Sequence, residues 1–372
     1  MNISEIDKDL SVQYGLTEPD MVWYDIKNAP FSIHGVFYDS ERGEYLRMPA
    51  SVAETTSKNV GKLNRHTSGG RVRFKTNSTY IAIHAVMNKR SLMAHMPLSG
   101  QAGFDVFRRL DGKDTFFFTM MPPPTMSEDY SGYTTGHKTY GELTDYTVNF
   151  SLYDGVRELY IAIKKDAALD FATPFEIEKP VVYYGNSITQ GGCASRPGNA
   201  YPAILSRRLD CDFVNLGFSG SGKGEQTVAR HISTLDMSAF VLDYDSNANS
   251  VAELLETHYP FYKTVRDAHP NIPIVIISHP TALHAVHYEL ACDPRLWGSY
   301  DERRAVIYET YDRARRDGDE NVYFINGKDI FRGEEWDACT VDGTHPNDLG
   351  FYRFAMSLEK VLRPALKKAS LK

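Results

Sequence analysis

The sequence predicts an α/β chain in two parts. An N-terminal antiparallel β-sandwich of jelly-roll type is expected over residues 1–172, followed by an α/β/α domain on a parallel sheet over residues 173–372. Three observations predict this. The first half carries short segments in which apolar and polar residues alternate, the period of a half-buried strand. The second half carries continuous apolar runs separated by stretches of helical length, the pattern of a parallel sheet covered on both faces. The length, 372 residues, is comfortable for two domains and long for one.

The alternation is clearest from Tyr146 to Leu152, where Tyr146, Val148, Phe150 and Leu152 are separated by Thr147, Asn149 and Ser151. Val72 and Phe74 repeat it, as do Ile81, Ile83 and Ala85, and then Leu159, Ile161 and Ile163. Strands of this kind bury one face and wet the other. Asp111-Gly112, between two such runs, is a hairpin turn by composition. No long amphipathic helix is legible between about residues 30 and 165.

The style changes near residues 168–180. Apolar runs at Pro180–Tyr184, Phe213–Leu216, Ala239–Leu242, Ile272–Ile277 and Asn321–Ile325 read as strands. Helices are expected at Tyr201–Leu209, Val251–Ala268, Asp301–Arg316 and, last, Leu349–Lys368. No internal repeat or low-complexity tract interrupts them.

Bulk composition narrows the function. The chain is 42% hydrophobic and 24% charged, as a globular protein with an ample core is. A net charge of −7 without a basic block argues against nucleic-acid partners and anionic membranes, which both reward positive charge. The N-terminal MNISEIDKDLSV has no signal-peptide pattern, and no run approaches the roughly 18 apolar residues of a membrane span. A cytoplasmic location is therefore expected. Cys193, Cys211, Cys292 and Cys339 form no CxxC pair and read as scattered thiols.

In an open α/β sheet, ligands bind outside the carboxyl ends of the strands. Gly185-Asn186-Ser187 follows the first such strand, Gly217-Phe218-Ser219-Gly220 the second, and Ser246-Asn247-Ala248-Asn249 the third. Asp342-Gly343-Thr344-His345 precedes the final helix. That set suffices for acyl transfer. A serine hydroxyl needs an adjacent base, histidine serves near neutral pH, and a carboxylate fixes the imidazole tautomer. Ser187, His345 and Asp342 are the candidates. Oxyanion donors are expected from the backbone N–H groups of Ser187 and Gly217 and the side chain of Asn247, with Asn249 as a rival for the last.

These segments carry a resemblance. Gly185-Asn186-Ser187-Ile188-Thr189 resembles block I of the SGNH (GDSL-like) hydrolases, with Asn for the usual Asp. Asn215-Leu216-Gly217-Phe218-Ser219-Gly220 resembles block II, and Asp342-Gly343-Thr344-His345-Pro346-Asn347 closely matches block V. The third block departs: Asp245-Ser246-Asn247-Ala248 stands where the family has Gly-x-Asn-Asp. The resemblance covers about residues 180–360. It implies a flavodoxin-like α/β/α domain, a serine esterase acting through an acyl-Ser187 intermediate, and no cofactor or metal. A sandwich ahead of such a domain is similar to that of carbohydrate esterases, and KLNRHTSGGRVRFKTNS adds a weaker likeness to their N-terminal domain. The implied substrate is a small-molecule or carbohydrate ester, with deacetylation the leading chemistry. An acyltransferase using the same acyl-enzyme, or a carbohydrate-binding protein with a degenerate hydrolase domain, are the alternatives.

Other signals were weighed beside these. Gly217 to Gly224 nearly spells a P-loop, but Gly224 stands where Ser or Thr must hold magnesium. The bland reading is a glycine-rich loop beside the site, with Lys223 or Glu225 near substrate. His279, His284, His287, Glu289 and Asp293 match no recognised ligand spacing and read as a surface or substrate-side loop. Tyr183 and Tyr184 read as core. Asp243 and Asp245, unusual at a strand end, read as caps for backbone donors or as substrate-facing acids.

Overall fold

The computed structural model describes residues 16–88, 92–123, 132–280 and 298–370. In the N-terminal half, twelve described strands run from β1 (Met21–Asp25), β2 (Ser32–His34), β3 (Phe37–Asp39) and β4 (Glu44–Leu46) to β5 (Arg71–Thr76) and β6 (Tyr80–Met87). They continue with β7 (Phe104–Leu110), β8 (Lys113–Met120), β9 (Gly132–Lys138), β10 (Thr144–Asn149), β11 (Val156–Lys164) and β12 (Leu169–Asp170). Three short helices, α1 (Ala50–Thr56), α2 (Lys58–Leu63) and α3 (Leu98–Gln101), interrupt them. One sheet has the order β1-β11-β6-β9; the other is β12-β5-β10-β7-β8, with β2 also paired to β5. All these pairings are antiparallel. Asp111 and Gly112 form the β7–β8 turn with φ of 49° and 75°, the left-handed pair a tight hairpin requires.

The alternating residues meet where the sheets face each other. Val72, Phe74, Tyr146, Val148 and Phe150 from one sheet pack against Ile81, Ile83, Leu159, Ile161 and Ile163 from the other. The opposite, polar face of the second sheet differs from expectation. Arg71, Arg73, Asp105, Thr147 and Asn149 are no more than 7% exposed. The expected wet face is instead covered by the C-terminal domain, with Arg71 and Asp105 pairing across the contact while Asn149 and Thr147 bond within the sandwich. Arg71 bonds Asp212 and the Phe213 carbonyl, with its guanidinium 4.0 Å above the Phe213 ring. His34 Nδ1 lies 2.9 Å from Asp212 Oδ2, and Asp105 accepts from Arg196 at 2.9 Å and the Gly198 N–H at 2.8 Å.

The parallel sheet begins at β13 (Ile177–Gly185), after the sandwich's last strand ends at Asp170. It contains α4 (Ser187–Gln190), α5 (Tyr201–Leu209), β14 (Cys211–Gly217), α6 (Gln226–Ile232), β15 (Ala239–Asp243) and α7 (Val251–Ala268). It ends with β16 (Ile274–Ile277), α8 (Tyr300–Arg316), β17 (Val322–Ile325) and α9 (Asp348–Ser370). The strand order β14-β13-β15-β16-β17 is all parallel and reverses direction at β13. That is the flavodoxin-like order, and the reversal opens a crevice at the carboxyl end of β13.

Alternate strand residues serve opposite faces. Val181 and Tyr183 pack with α5 and α9; Val182 and Tyr184 pack with α6, α7 and α8. Met48, Ala53 and Val60, from the N-terminal half, join the second of these cores. Both tyrosines are fully buried, as expected of core. No helix among the described residues is long and apolar enough to cross a membrane.

Candidate active site

The first turn after β13 is built by Asn186. Its side-chain oxygen accepts from the N–H groups of Ile188 and Thr189, capping α4 and setting Ser187 at the first helical position. Its amide donates to the Asp243 carbonyl at 3.0 Å. An ionised aspartate could accept the two N–H groups but could not make that donation. Asn in place of the family's usual Asp thus ties the Ser187 turn to the end of β15. Nearby Asp243 is buried, accepts from Thr189 Oγ1 at 3.1 Å, and burial raises its pKa well above the ordinary carboxylate value.

The Asp342–His345 turn is closed on both sides. Thr340 and Pro346 form an isolated bridge, and the Val341 N–H donates to the His345 carbonyl at 2.9 Å. Asp342 Oδ1 accepts from the N–H groups of Thr344 and His345, and Oδ2 lies 2.7 Å from His345 Nδ1. Burial pulls the Asp342 carboxyl upward, but these bonds and the imidazole outweigh it and hold its pKa below the usual value. His345 Nε2 is 2.8 Å from Ser187 Oγ. Hydroxyl, imidazole and carboxylate therefore stand in one hydrogen-bonded line, as the sequence reading expected.

The loop after β14 corrects one expectation. The Gly217 N–H does not face a reacting group, because it donates to Asn215 Oδ1 at 2.9 Å. The Phe218 N–H donates to Gly185, Ser219 to Gln190 Oε1, and Ser221 and Gly222 to the Phe218 carbonyl. Across residues 217–222 the Gly220 N–H alone meets no acceptor among the described residues; Gly220 is exposed at φ 62°, the left-handed region that favours glycine. Asn247 donates to the Phe218 carbonyl at 3.0 Å, which spends one of its two amide hydrogens. Asn249 turns elsewhere, to Glu253 and Lys223. Glu225 also turns inward, bonding Tyr184 at 2.5 Å and the Lys223 N–H. Lys223 Nζ donates to Asn249 Oδ1 at 2.7 Å, so both side chains have partners within the protein.

The sequence reading missed what the sandwich supplies beneath this loop. Arg47, fully buried, donates to the carbonyls of Asn215 and Gly217 and lies 4.5 Å over the Phe218 ring. Tyr153 donates to the Ser187 carbonyl at 3.3 Å. Gln190 is held by the Leu152 carbonyl and by His66, whose pKa burial and the charges of Arg47 and Arg65 lower to about 3. His95, at the mouth, lies with its ring centre 5.8 Å from that of His345. Contacts between residues 34 or more positions apart leave no mark in local sequence pattern.

The remaining candidates resolve as follows. Asp245 accepts the His279 N–H at 2.8 Å, so it caps backbone as one reading held. His279 is buried and lies 2.5 Å from Ser246 Oγ, and burial lowers its pKa to about 4. His284, His287, Glu289, Asp293 and Cys292 lie outside the described residues. Cys193, Cys211 and Cys339 are buried free thiols.

Fold and site together are those of an ester-hydrolase class, and comparison of the sequence with known families agrees. Residues 178–363 match the GDSL-like Lipase/Acylhydrolase family, and residues 21–169 match GxDLY, the N-terminus of Esterase_SGNH_hydro-type. The chain belongs to the GDSL-like lipase/acylhydrolase family and is a carboxylic ester hydrolase of that class. Gly103-Phe104-Asp105-Val106-Phe107 fits the Gly-x-Asp of the N-terminal family's name, and its Asp105 is the acid at the domain contact. No curated protein matches the sequence. A Bacteroides ovatus protein described as a GDSL-like lipase is similar at 28% identity and TM-score 0.80, covering 93% of this chain and 98% of that one. Salicylyl-acyltransferase SsfX3 from a tetracycline biosynthetic pathway shares the fold at 19% identity and TM-score 0.76, covering 94% and 98%. A family two carbohydrate esterase from Clostridium thermocellum, in complex with cellohexaose, does so at 14% identity and TM-score 0.58, covering 91% and 99%.

Proposed function

We propose that the protein is a deacetylase-type serine esterase acting on acylated carbohydrate through an acyl-Ser187 intermediate. The observation that carries this reading is the Ser187–His345–Asp342 line, with contacts of 2.8 Å and 2.7 Å. His345 Nε2 takes the Ser187 proton as Oγ attacks the ester carbonyl, and Asp342 holds the imidazole in the required tautomer. The alkoxy leaving group takes that proton as the tetrahedral intermediate collapses. Water, deprotonated by the same histidine, then releases the acid and restores Ser187. The oxyanion meets the N–H groups of Ser187 and Gly220 and the second amide hydrogen of Asn247, each such donor worth about 3 kcal/mol. The carbohydrate substrate is supported by the shared fold of the family two esterase with its bound cellohexaose.

One observation favours a second reading. The SsfX3 acyltransferase is similar over 94% of this chain. An alcohol in place of water at the acyl-enzyme would make this protein a transferase with the same residues. The test is turnover of p-nitrophenyl acetate and acetylated xylo-oligosaccharides by wild type and Ser187→Ala, with product mass spectrometry in the presence of added sugar acceptors. Loss of at least about 10⁴-fold in kcat in the variant is expected. Unchanged turnover would remove Ser187 from the mechanism. Acetylated acceptor in place of free acetate would select the transferase.

A further inference from the structure

The sandwich places one more side chain at the mouth of the site. His95, exposed, stands just before α3, and α3 is clamped onto the loop after α4. Ser99 Oγ donates to the Ser195 carbonyl at 2.6 Å, and a side chain at Gly100 would strike the Ala194 carbonyl at 2.0 Å. This close approach brings ligand atoms of His95, Cys193 and His345 within 4.8 Å of one another. The three come from two domains and three separate loops.

We infer that His95, Cys193 and His345 form a binding site for zinc or a similar borderline divalent metal, and that metal bound there inhibits the enzyme. The donor set is two imidazoles and one thiol, which favours zinc and disfavours the oxygen-seeking magnesium and calcium. Zn–N near 2.0 Å and Zn–S near 2.3 Å put tetrahedral donors about 3.3–3.6 Å apart. His95 is exposed and can turn toward the other two donors, and three protein ligands leave a fourth position for water. Burial and the Asp342 charge push the Cys193 thiol up to about 12, so it is protonated without metal. On binding, the S–H bond breaks, its proton leaves to solvent, and the S–Zn bond forms.

Inhibition follows from the bonds His345 already makes. One ring nitrogen meets Ser187 and the other Asp342. Metal on either nitrogen removes one of the two contacts that general-base catalysis needs. This step rests on the esterase reading; the metal site does not.

The experiment uses the full chain as wild type, His95→Ala, Cys193→Ser and Ser187→Ala. Hydrolysis of p-nitrophenyl acetate is followed against buffered free zinc, with magnesium as control and EDTA to reverse. Cobalt(II) is titrated separately and read by its thiolate charge-transfer absorption. Zinc is expected to inhibit wild type reversibly and magnesium not to. His95→Ala and Cys193→Ser should each raise the half-inhibitory zinc concentration on the order of tenfold or more. The cobalt–thiolate band should appear in wild type and Ser187→Ala and vanish in Cys193→Ser. Equal zinc sensitivity in all active variants, or no cobalt–thiolate band in wild type, would overturn the inference. A cobalt–thiolate band in a chain that hydrolyses no ester would overturn the esterase reading and leave the metal site standing.

Discussion

At the scale of single residues, one carboxylate and one amide set the site. Asp342 uses one oxygen for two backbone N–H groups and the other for the imidazole, so a four-residue turn both forms itself and orients the ring. Asn247 donates one amide hydrogen to the Phe218 carbonyl in the loop after β14, whereas the exposed Asn249 donates one to Glu253 and accepts from Lys223. Sequence left these two asparagines as rivals, and their different contacts give each its own expectation. Asn247→Ala is expected to lower kcat by about 10²–10³-fold with a small change in KM, the loss typical of one oxyanion donor. Asn249→Ala should leave kcat within about threefold, as a surface change away from the chemistry does. Steady-state kinetics on p-nitrophenyl acetate reads both, and equal losses would return Asn249 to the site.

At the scale of elements, the contact between β5 and β14 joins the two domains. Arg71 is buried, and Asp212 is nearly so. Burial pulls the Asp212 carboxyl upward, but Arg71 and His34 outweigh it and hold its pKa below the ordinary value. Removing one partner of such a pair strands the other's charge, at a typical cost of about 3–5 kcal/mol. Arg71→Ala is therefore expected to destabilise by about that amount, and Arg71→Ala with Asp212→Ala by less. Urea midpoints of the three proteins test this. A double variant no more stable than Arg71→Ala would show that the pair is not what holds the contact.

At the scale of the whole molecule, buried histidines make the fold sensitive to acid. Burial lowers His66 and His258 to about 3 and His279 to about 4. Unfolded, each returns to about 6.5. Below that pH the unfolded chain takes up three protons that the folded chain refuses, so stability falls as pH falls. Asp243 acts oppositely: its raised pKa keeps a proton in the folded state that the unfolded chain gives up above about pH 4. Burial lowers His34 and His231 as well and raises Asp114, so depressed histidines outnumber raised carboxyls five to two and the histidine effect sets the direction. Urea midpoints at about pH 7 and about pH 5 should differ accordingly, with the lower pH less stable. A flat or inverted profile would show that these histidines are solvated.

The sequence by itself determined the class of each half, the hairpin at Asp111-Gly112, the helices at Tyr201–Leu209 and Val251–Ala268, and the Ser187–His345–Asp342 line. Each of these is written in local spacing: a period of two, an apolar run, or a turn whose chemistry spans a few residues. Tertiary structure alone decided that the polar face of β5 and β10 is buried and that the Gly217 N–H belongs to Asn215. It also decided that Arg47, Tyr153 and His95 of the sandwich reach the loop after β14, Ser187 and His345 in turn. A polar face paired with a second domain has the same alternation as one facing water. A backbone N–H carries no side-chain signal of which acceptor it will meet.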